Sequence, residues 1–206
     1  MTEKFKTFPF TPADLPTREY HVVNKKYVDG FPNDLTIWED QQVSIGSAKL
    51  HPANTPVWTA YKGGYVLAFE GGGADEEQLF FTAQLSHKYK EGSDIEFHIH
   101  YAPEDATVAN VRWVFTYSWA SSDGVYGAET TVTTILATPG VADQHTYGEI
   151  GDITGTGKTI SSILICSLMR ESSHATDTYD NLDIYLLGLD FHIQCDAIGS
   201  SEEDTK

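Results

Sequence analysis

Two histidines separated by one residue are the side chains of this sequence whose type and spacing are best suited to chemistry. They are His98 and His100, within the run Asp94–Tyr101. On a β-strand, residues two apart point to the same face, so the two imidazoles would lie side by side. Paired imidazoles could bind a transition metal. They could also line a solvated face of a sheet or a contact between subunits.

A cupin-like metal site is the most specific of these hypotheses. Gly92, His98, His100 and Glu104 match the spacing of the first cupin motif, which has a glycine, His-x-His and a glutamate. The next glycine of that motif is replaced by Val111, and no second motif is recognisable. Such a site would make the protein a metal-dependent enzyme that uses the two histidines and the glutamate.

Alternation along the strand argues against a cupin-like site. The histidines share one face with Asp94 and Glu96, and the opposite face carries four apolar or aromatic residues, Ile95, Phe97, Ile99 and Tyr101. The apolar face of a half-buried strand belongs in the core. We therefore predict that the histidines point outward, onto a polar surface or a subunit contact. The stability of such a contact would change as the imidazoles are protonated, near about pH 6.5.

Two other segments partly resemble known binding motifs, a phosphate-binding loop and a calcium-binding loop, but do not match their spacing or structural context. Gly151–Thr159 ends in Gly-Lys-Thr, but its first glycine is one residue too far away for a phosphate-binding loop, and strand-like residues follow where a helix is required. Asp177–Asp183 holds carboxylates that could bind calcium, but it lacks the spacing and the glycine of an EF-hand. We predict a hairpin turn for the first segment and a solvated loop for the second.

Catalytic residues and cofactors are not predicted for this chain. There is no Gly-x-Ser-x-Gly nucleophile motif, and the carboxylates are too dispersed for a glycosidase pair to be identified. We therefore predict a non-enzymatic protein that binds no cofactor. His98, His100 and Glu104 remain the candidate metal ligands of the alternative hypothesis.

The elements that must position these residues are strands. From Val43 onward, apolar residues recur with a period of two, and glycine-rich turns separate the runs. The pattern predicts an all-β fold, an antiparallel two-sheet β-sandwich with a jelly roll as the leading topology. The predicted sandwich spans residues 41–206 as a single domain. Its predicted strands are Val43–Leu50, Tyr65–Phe69, Gln78–Leu85, Asp94–Tyr101, Val108–Ala120, Thr130–Thr138, Thr159–Arg170 and Asp183–Cys195.

Residues 1–40 show no steady period. Pro9, Pro12, Pro16 and Pro32 interrupt them, and aromatic residues are scattered between the prolines. Disordered tails are usually poor in aromatics. We predict an extended, aromatic-containing N-terminal arm that docks on its own domain or on a neighbouring copy.

Composition excludes several classes of partner. Thirty acidic residues against 13 basic residues give a net charge of -17, so the basic surface that nucleic-acid binding requires is missing. The same charge disfavours anionic membranes, and we predict neither partner. The first residues lack the apolar segment of a secretory signal, which predicts synthesis in a cytosol, from which the protein could leave as part of a particle. Cys166 and Cys195 each lie in an apolar strand-like run, so we expect buried free thiols.

Three segments together resemble a group of virion structural proteins of tailed phages and prophages. The segments are Glu76–Tyr101, Asn110–Trp119 and Leu186–Ser200. The resemblance implies a β-sandwich component of the virion, made in the host cytoplasm, without a known catalytic activity. The leading hypothesis is a capsid decoration (cement) protein, a homotrimer that binds the major capsid protein and stabilises the phage head.

A tail or fibre component that binds a host carbohydrate is the alternative. Four aromatic residues near glycine-rich turns could stack on sugar rings if they are exposed, namely Tyr61, Tyr65, Trp119 and Tyr126. The second alternative is the cupin-like metal-dependent enzyme described above.

Overall fold

Strands with alternating apolar residues make up most of the chain that the structure describes. The computed structural model describes residues 37–73, 76–200 and 202. None of these segments is a helix long and apolar enough to cross a membrane. A 3-10 turn covers Ile45–Ser47. The strands are β1 (Ile37–Val43), β2 (Lys49–Leu50), β3 (Val57–Tyr61), β4 (Gly64–Phe69), β5 (Glu77–Gln84), β6 (Ile95–Pro103), β7 (Asn110–Ala120), β8 (Thr130–Ala137), β9 (Thr146–Ile153), β10 (Ile163–Arg170) and β11 (Ile184–Cys195).

The strands form two antiparallel sheets with nested pairing. The first sheet has the order β3-β4-β11-β6-β9, and β1 pairs with β11 next to β4. The second sheet has the order β2-β5-β10-β7-β8. Strand β4 pairs with β11, β5 with β10, β6 with β9 and β7 with β8, as in one long antiparallel hairpin rolled into two layers. This connectivity is a jelly roll, so the predicted fold is confirmed.

Aromatic rings fill the space between the two sheets. Strands β6, β7 and β11 turn alternate apolar residues inward. Phe97 of β6 stacks on Phe115 of β7 across the sandwich, with ring centroids 4.1 Å apart, and Phe81 and Phe191 pack beside them. Burial of each ring stabilises the fold by about 1.5–3 kcal/mol. This cluster therefore joins the two sheets at their centres.

The predicted strand Val43–Leu50 is wrong as a single strand. Strand β1 ends at Val43 and belongs to the first sheet, whereas β2 pairs in the second sheet. The 3-10 turn between them carries the chain from one sheet to the other. The predicted strand Thr159–Arg170 likewise begins later, at Ile163, because Ser161 adopts a left-handed backbone conformation with a φ of 60°.

Strands β3 and β9 are absent from the predicted set. Strand β3 enters β4 through a two-residue turn, Lys62-Gly63, in which both residues have positive φ. Strand β9 contains Gly148 and Gly151, which interrupt its alternation. A Cβ atom at Gly148 would collide with the side chain of Leu136 on β8. Gly148 therefore leaves space for the side chain of Leu136. The apolar group that covers this part of β9 belongs to β8, so β9 itself lacks the alternation that identifies a strand.

The sandwich begins at Ile37, where β1 starts. Residues 37–40, which the sequence places in the arm, are therefore part of a strand that pairs with β11. The remainder of the predicted arm, residues 1–36, lies outside the described residues.

A buried guanidinium group organises one end of the sandwich. Arg170 is the last residue of β10 and is fully buried, and all five of its N–H groups donate hydrogen bonds. Two reach the carboxylate of Asp177, at 3.0 and 3.1 Å. The other three reach the carbonyls of Phe69, Tyr179 and Leu182 at 2.8–2.9 Å. We refer to these five residues as the Arg170 cluster.

The Arg170 cluster corrects the prediction for the acidic stretch Asp177–Asp183. Asp177 is 4% exposed, and its Oδ2 also accepts a hydrogen bond from the backbone N–H of Arg112 at 3.0 Å. Its carboxylate is thus the buried partner of an arginine, and neither the solvated-loop nor the calcium hypothesis holds for this residue.

Candidate functional sites on the two sheet faces

The outer face of the first sheet carries the two histidines that alternation identifies. Strand β6 buries Ile95, Phe97 and Ile99 completely. The side chains of His98 and His100 lie on the opposite side of the strand and are 14% and 31% exposed. The prediction that the histidines point away from the core is confirmed.

Neighbouring strands bring further carboxylates and histidines to this face. The register places Asp190 of β11 opposite His98, and Asp40 of β1 opposite His192 of β11. Directly opposed residues on one face have Cβ atoms about 5 Å apart, so their side chains interact. We refer to the resulting group as the Asp190 cluster. Its members are Asp40, His98, His100, His145, Asp190 and His192.

Asp190 is the buried centre of this cluster, with 2% of its surface exposed. Its Oδ2 accepts a hydrogen bond from His100 Nε2 at 2.6 Å. In the His100 tautomer that donates from Nε2, Nδ1 is the acceptor, and His145 Nε2 lies at hydrogen-bonding distance from it, 2.8 Å. Asp190 Oδ1 accepts no hydrogen bond from the described residues and lies 3.5 Å from His98 Nδ1. One carboxylate oxygen is thus satisfied and the other is not.

Asp40 approaches the cluster from the edge strand β1. Its Oδ1 accepts a hydrogen bond from His192 Nδ1 at 2.5 Å. The His192 ring stacks on Trp38, with centroids 4.7 Å apart and planes 7° apart. The ring of His98 also stacks on the His192 ring, with centroids 5.5 Å apart. The stack therefore fixes the orientation of the imidazole that holds Asp40.

The cupin-like set of ligands is not brought together. Within the described residues, the side chains placed to share a metal ion are Asp40, His98 and Asp190, whose ligand atoms lie within 4.8 Å of one another. Glu104 is exposed beyond the end of β6, and its Oε2 accepts a hydrogen bond from the backbone N–H of Asp183 at 2.8 Å. Two of these three residues, Asp40 and Asp190, are absent from the set predicted from the sequence, because their proximity to His98 depends on strand pairing.

A groove on the outer face of the second sheet is the other candidate site. The loop of residues 121–129 connects β7 to β8, and Ser118 Oγ holds it against the sheet by donating to the carbonyl of Gly127 at 3.0 Å. The space between the loop and strands β5, β7 and β10 is about 490 Å³. We refer to it as the Tyr126 groove. It is lined by Gln78, Phe80, Thr116, Tyr117, Ser118, Tyr126, Gly127, Glu129, Ile165, Cys166 and Ser167.

The Tyr126 groove combines exposed rings with hydroxyl groups. Tyr126 is 41% exposed and Phe80 is 37% exposed. The hydroxyls of Thr116, Ser118 and Ser167 lie on the outward-facing side of the strands between them. The groove can therefore offer an apolar surface and hydrogen-bonding groups to one ligand.

The four aromatic residues of the carbohydrate hypothesis lie in different places. Trp119 is only 7% exposed and points into the core, so the prediction that it is an exposed sugar platform is wrong. Trp119 lies an even number of positions after the fully buried Trp113 on β7, so the alternation of the strand already indicated that Trp119 points into the core. Tyr61 packs on Tyr185 with centroids 4.8 Å apart. Tyr65 is 71% exposed on β4, outside the Tyr126 groove.

The remaining candidates of the sequence have structural roles. Cys166 and Cys195 are buried free thiols, as predicted, and burial raises the pKa of the Cys166 thiol. The segment Gly151–Thr159 covers the end of β9 in the first sheet and the turn that leads to β10 in the second sheet. Because β9 and β10 lie in different sheets and do not pair, the prediction of a hairpin turn is wrong. Strand β10 follows the segment where a phosphate-binding loop requires a helix. Lys158 Nζ donates to the carbonyl of Trp119 at 3.1 Å.

No protein-family model and no curated protein matches this chain. Solved structures match at the level of the fold. One is a xylan-binding domain of carbohydrate-binding module family 22, with 11% identity, a TM-score of 0.39 and coverage of 80% of this chain and 99% of that chain. Another holds the carbohydrate-binding and catalytic modules of xylanase 10B of Clostridium thermocellum with xylohexaose, with 10% identity, a TM-score of 0.40 and coverage of 77% and 28%.

A third similar structure is the enzymatically active domain of tailspike protein 4 of bacteriophage CBA120. It has 7% identity, a TM-score of 0.36 and coverage of 78% of this chain and 20% of that chain. This chain therefore spans less than a third of the xylanase and tailspike structures. At these identities and TM-scores the likeness extends to the β-sandwich fold alone.

Proposed function

We propose that this chain is a non-enzymatic carbohydrate-binding module and that the Tyr126 groove is its ligand site. The observation that carries the proposal is the pair of partly exposed rings, Tyr126 and Phe80, in an open groove lined with hydroxyls. A sugar ring has one face of C–H groups that packs on an aromatic ring, and a rim of hydroxyls that needs hydrogen-bond partners. A concave site with a few placed polar groups supplies both.

Charge narrows the class of glycan. The chain carries a net charge of -17, and Glu129 lines the groove. A negative potential repels uronic and sialic acids and tolerates neutral sugars. The expected ligands are therefore neutral oligosaccharides.

The resemblance to phage virion proteins supports a place for this module on a virion, as a tail or fibre component. The hypothesis of a homotrimeric capsid decoration protein bound to the major capsid protein stays a prediction. Immunogold labelling of purified particles distinguishes the two, because one places the label on the tail and the other on the head.

A glycan array followed by calorimetry on the best neutral hit tests the proposal. Tyr126→Ala should weaken binding at least about 10-fold, since one stacked ring is removed from the site. Tyr65→Ala removes a more exposed tyrosine outside the groove and should leave the affinity unchanged.

An array without hits among neutral and acidic glycans would overturn the proposed function. Loss of binding in Tyr65→Ala with full binding in Tyr126→Ala would instead move the site to the outer part of β4 and overturn the assignment of the groove.

A further inference from the structure

Asp190 Oδ1 is a buried carboxyl oxygen without a hydrogen-bond donor among the described residues. Buried carboxylate oxygens are normally satisfied, because losing water without a replacement partner is costly. The other oxygen of the same group has a short hydrogen bond to His100. The orientation of the carboxylate is therefore fixed, and it aims its unsatisfied oxygen toward His98 and β1.

The spacing around this oxygen matches that of metal ligands. Nitrogen and oxygen ligands lie about 2.0–2.2 Å from zinc, which places neighbouring ligand atoms of a tetrahedral site about 3.3–3.5 Å apart. Asp190 Oδ1 and His98 Nδ1 are 3.5 Å apart. Asp40 completes the group, since one ligand atom from each of Asp40, His98 and Asp190 lies within 4.8 Å of the others.

Residues around two of the three ligand side chains, Asp190 and Asp40, hold them in place. His100 holds the second oxygen of Asp190 and is itself held by His145. His192 holds Asp40 and is clamped by Trp38. Outer partners of this kind orient metal ligands and raise their basicity.

The geometry points to a divalent transition-metal site, suited to zinc, formed by Asp40, His98 and Asp190 on the outer face of the first sheet. One imidazole and two carboxylates match the ligand types of zinc, and the imidazole discriminates against calcium and magnesium. Three protein ligands leave a fourth position for water. The ion would join the edge strand β1 to the central strands β11 and β6, so its role is to fasten the first strand to the sheet.

Calorimetry with zinc chloride as the only added ligand tests this site in the full chain after treatment with a chelator. We expect one zinc ion per chain and a dissociation constant in the micromolar range or below. At a zinc concentration about 100 times that constant, the Tm should rise by about 5–10 °C. Asp40→Asn and His98→Ala should each weaken zinc binding at least about 10-fold. Excess magnesium should not compete.

Glu104→Gln is the matched control, because Glu104 belongs to the spacing-based set but lies apart from the three ligands. It should bind zinc as the unaltered protein does. Asp40 is exposed, so the Asp40→Asn variant should fold normally. Its zinc affinity therefore tests the site even if the His98→Ala variant does not fold. The inference is overturned if zinc does not bind below about 100 µM, if both ligand variants bind it unchanged, or if magnesium displaces it. None of these outcomes bears on the Tyr126 groove.

Discussion

The Arg170 cluster and the Asp190 cluster both bury a charged side chain in the same sandwich, but they treat that charge differently. In the Arg170 cluster, five donors meet five acceptors, and Asp177 neutralises the charge. In the Asp190 cluster, one oxygen of the carboxylate has a donor and the other has none among the described residues. The first arrangement is complete as it stands, whereas the second requires a further partner.

This difference separates a structural polar group from a candidate binding group. A buried ion pair with every hydrogen bond made fixes the loops around it, and its partners cannot be changed singly without loss. A buried carboxylate with an unsatisfied oxygen lowers stability until a cation or donor reaches it. Replacing carboxylates by their amides at matched positions tests the contrast, since shape is kept and charge is removed.

Asp177→Asn should have the largest effect. The substitution leaves the Arg170 guanidinium buried without its counter-charge, which we expect to cost about 3 kcal/mol of unfolding free energy. Urea denaturation followed by fluorescence measures it. Glu171→Gln is the control, because it removes the partner of Arg112 from an ion pair whose side chains are about a fifth exposed, and it should cost about 1 kcal/mol or less. If the two variants lost the same unfolding free energy, the buried Arg170–Asp177 ion pair would stabilise the fold no more than the partly exposed Arg112–Glu171 pair.

Glu77→Gln should have an intermediate, pH-dependent effect. Glu77 pairs with Arg170 across β5 and β10, yet all five arginine donors are used elsewhere. Burial, with smaller effects from the nearby charges of Glu70 and Asp183, raises the pKa of Glu77 to about 7, although the Glu70 N–H and Arg170 act in the opposite direction.

The sign of the pH dependence follows from that raised pKa. Between about pH 4.5 and pH 7 the unfolded chain has lost the Glu77 proton and the folded chain has kept it, so stability falls as pH rises. Glu77→Gln cannot ionise. It should match the unaltered protein near pH 4.5 and exceed its stability by about 1–2 kcal/mol at pH 8, a value reduced for partial exposure. Urea titrations across this range measure the difference, and Glu129→Gln controls for the loss of one negative charge. A constant difference at all pH values would contradict the assignment.

Asp190→Asn should have the smallest effect, and it should be of opposite sign to Asp177→Asn. The amide oxygen can still accept from His100 Nε2, and the carboxylate oxygen without a hydrogen-bond donor is replaced by an amide nitrogen. In the presence of a chelator we expect the variant to be as stable as the unaltered protein or up to about 1 kcal/mol more stable. Thermal unfolding measures this. A loss of 3 kcal/mol, about that expected for Asp177→Asn, would mean that both clusters are structural in the same way.

Sequence alternation was sufficient to orient single strands. It placed His98 and His100 outside and Phe97 inside, and it could also have placed Trp119 in the core. Alternation was not sufficient where the apolar side chain that covers one strand is supplied by a neighbouring strand. Strand β9 was missed because a leucine of β8 fills the position of a β9 side chain at Gly148.

The partners of the candidate sites could not be predicted for a related reason. Asp40 and Asp190 meet His98 only because β1, β11 and β6 are neighbours in the first sheet. The Tyr126 groove likewise depends on the order β5-β10-β7 and on a loop that folds back over it. Tyr126 itself was identified as a candidate, but Phe80 was not, since its exposure follows from the short strand β2 at that edge.

The nested pairing of the jelly roll also sets an order of events during synthesis. Strand β1 pairs only with β11 among the described strands, and β11 lies in the middle of the first sheet. Ile37 therefore emerges from the ribosome long before its partner Cys195 exists. Until then β1 and the free edge of β4 are unpaired strand edges, which are prone to association with other chains. The first strands of a nascent chain therefore stay unpaired until β11 has been synthesised, and we expect crowded polysomes or a lack of chaperones to lower the yield of folded protein.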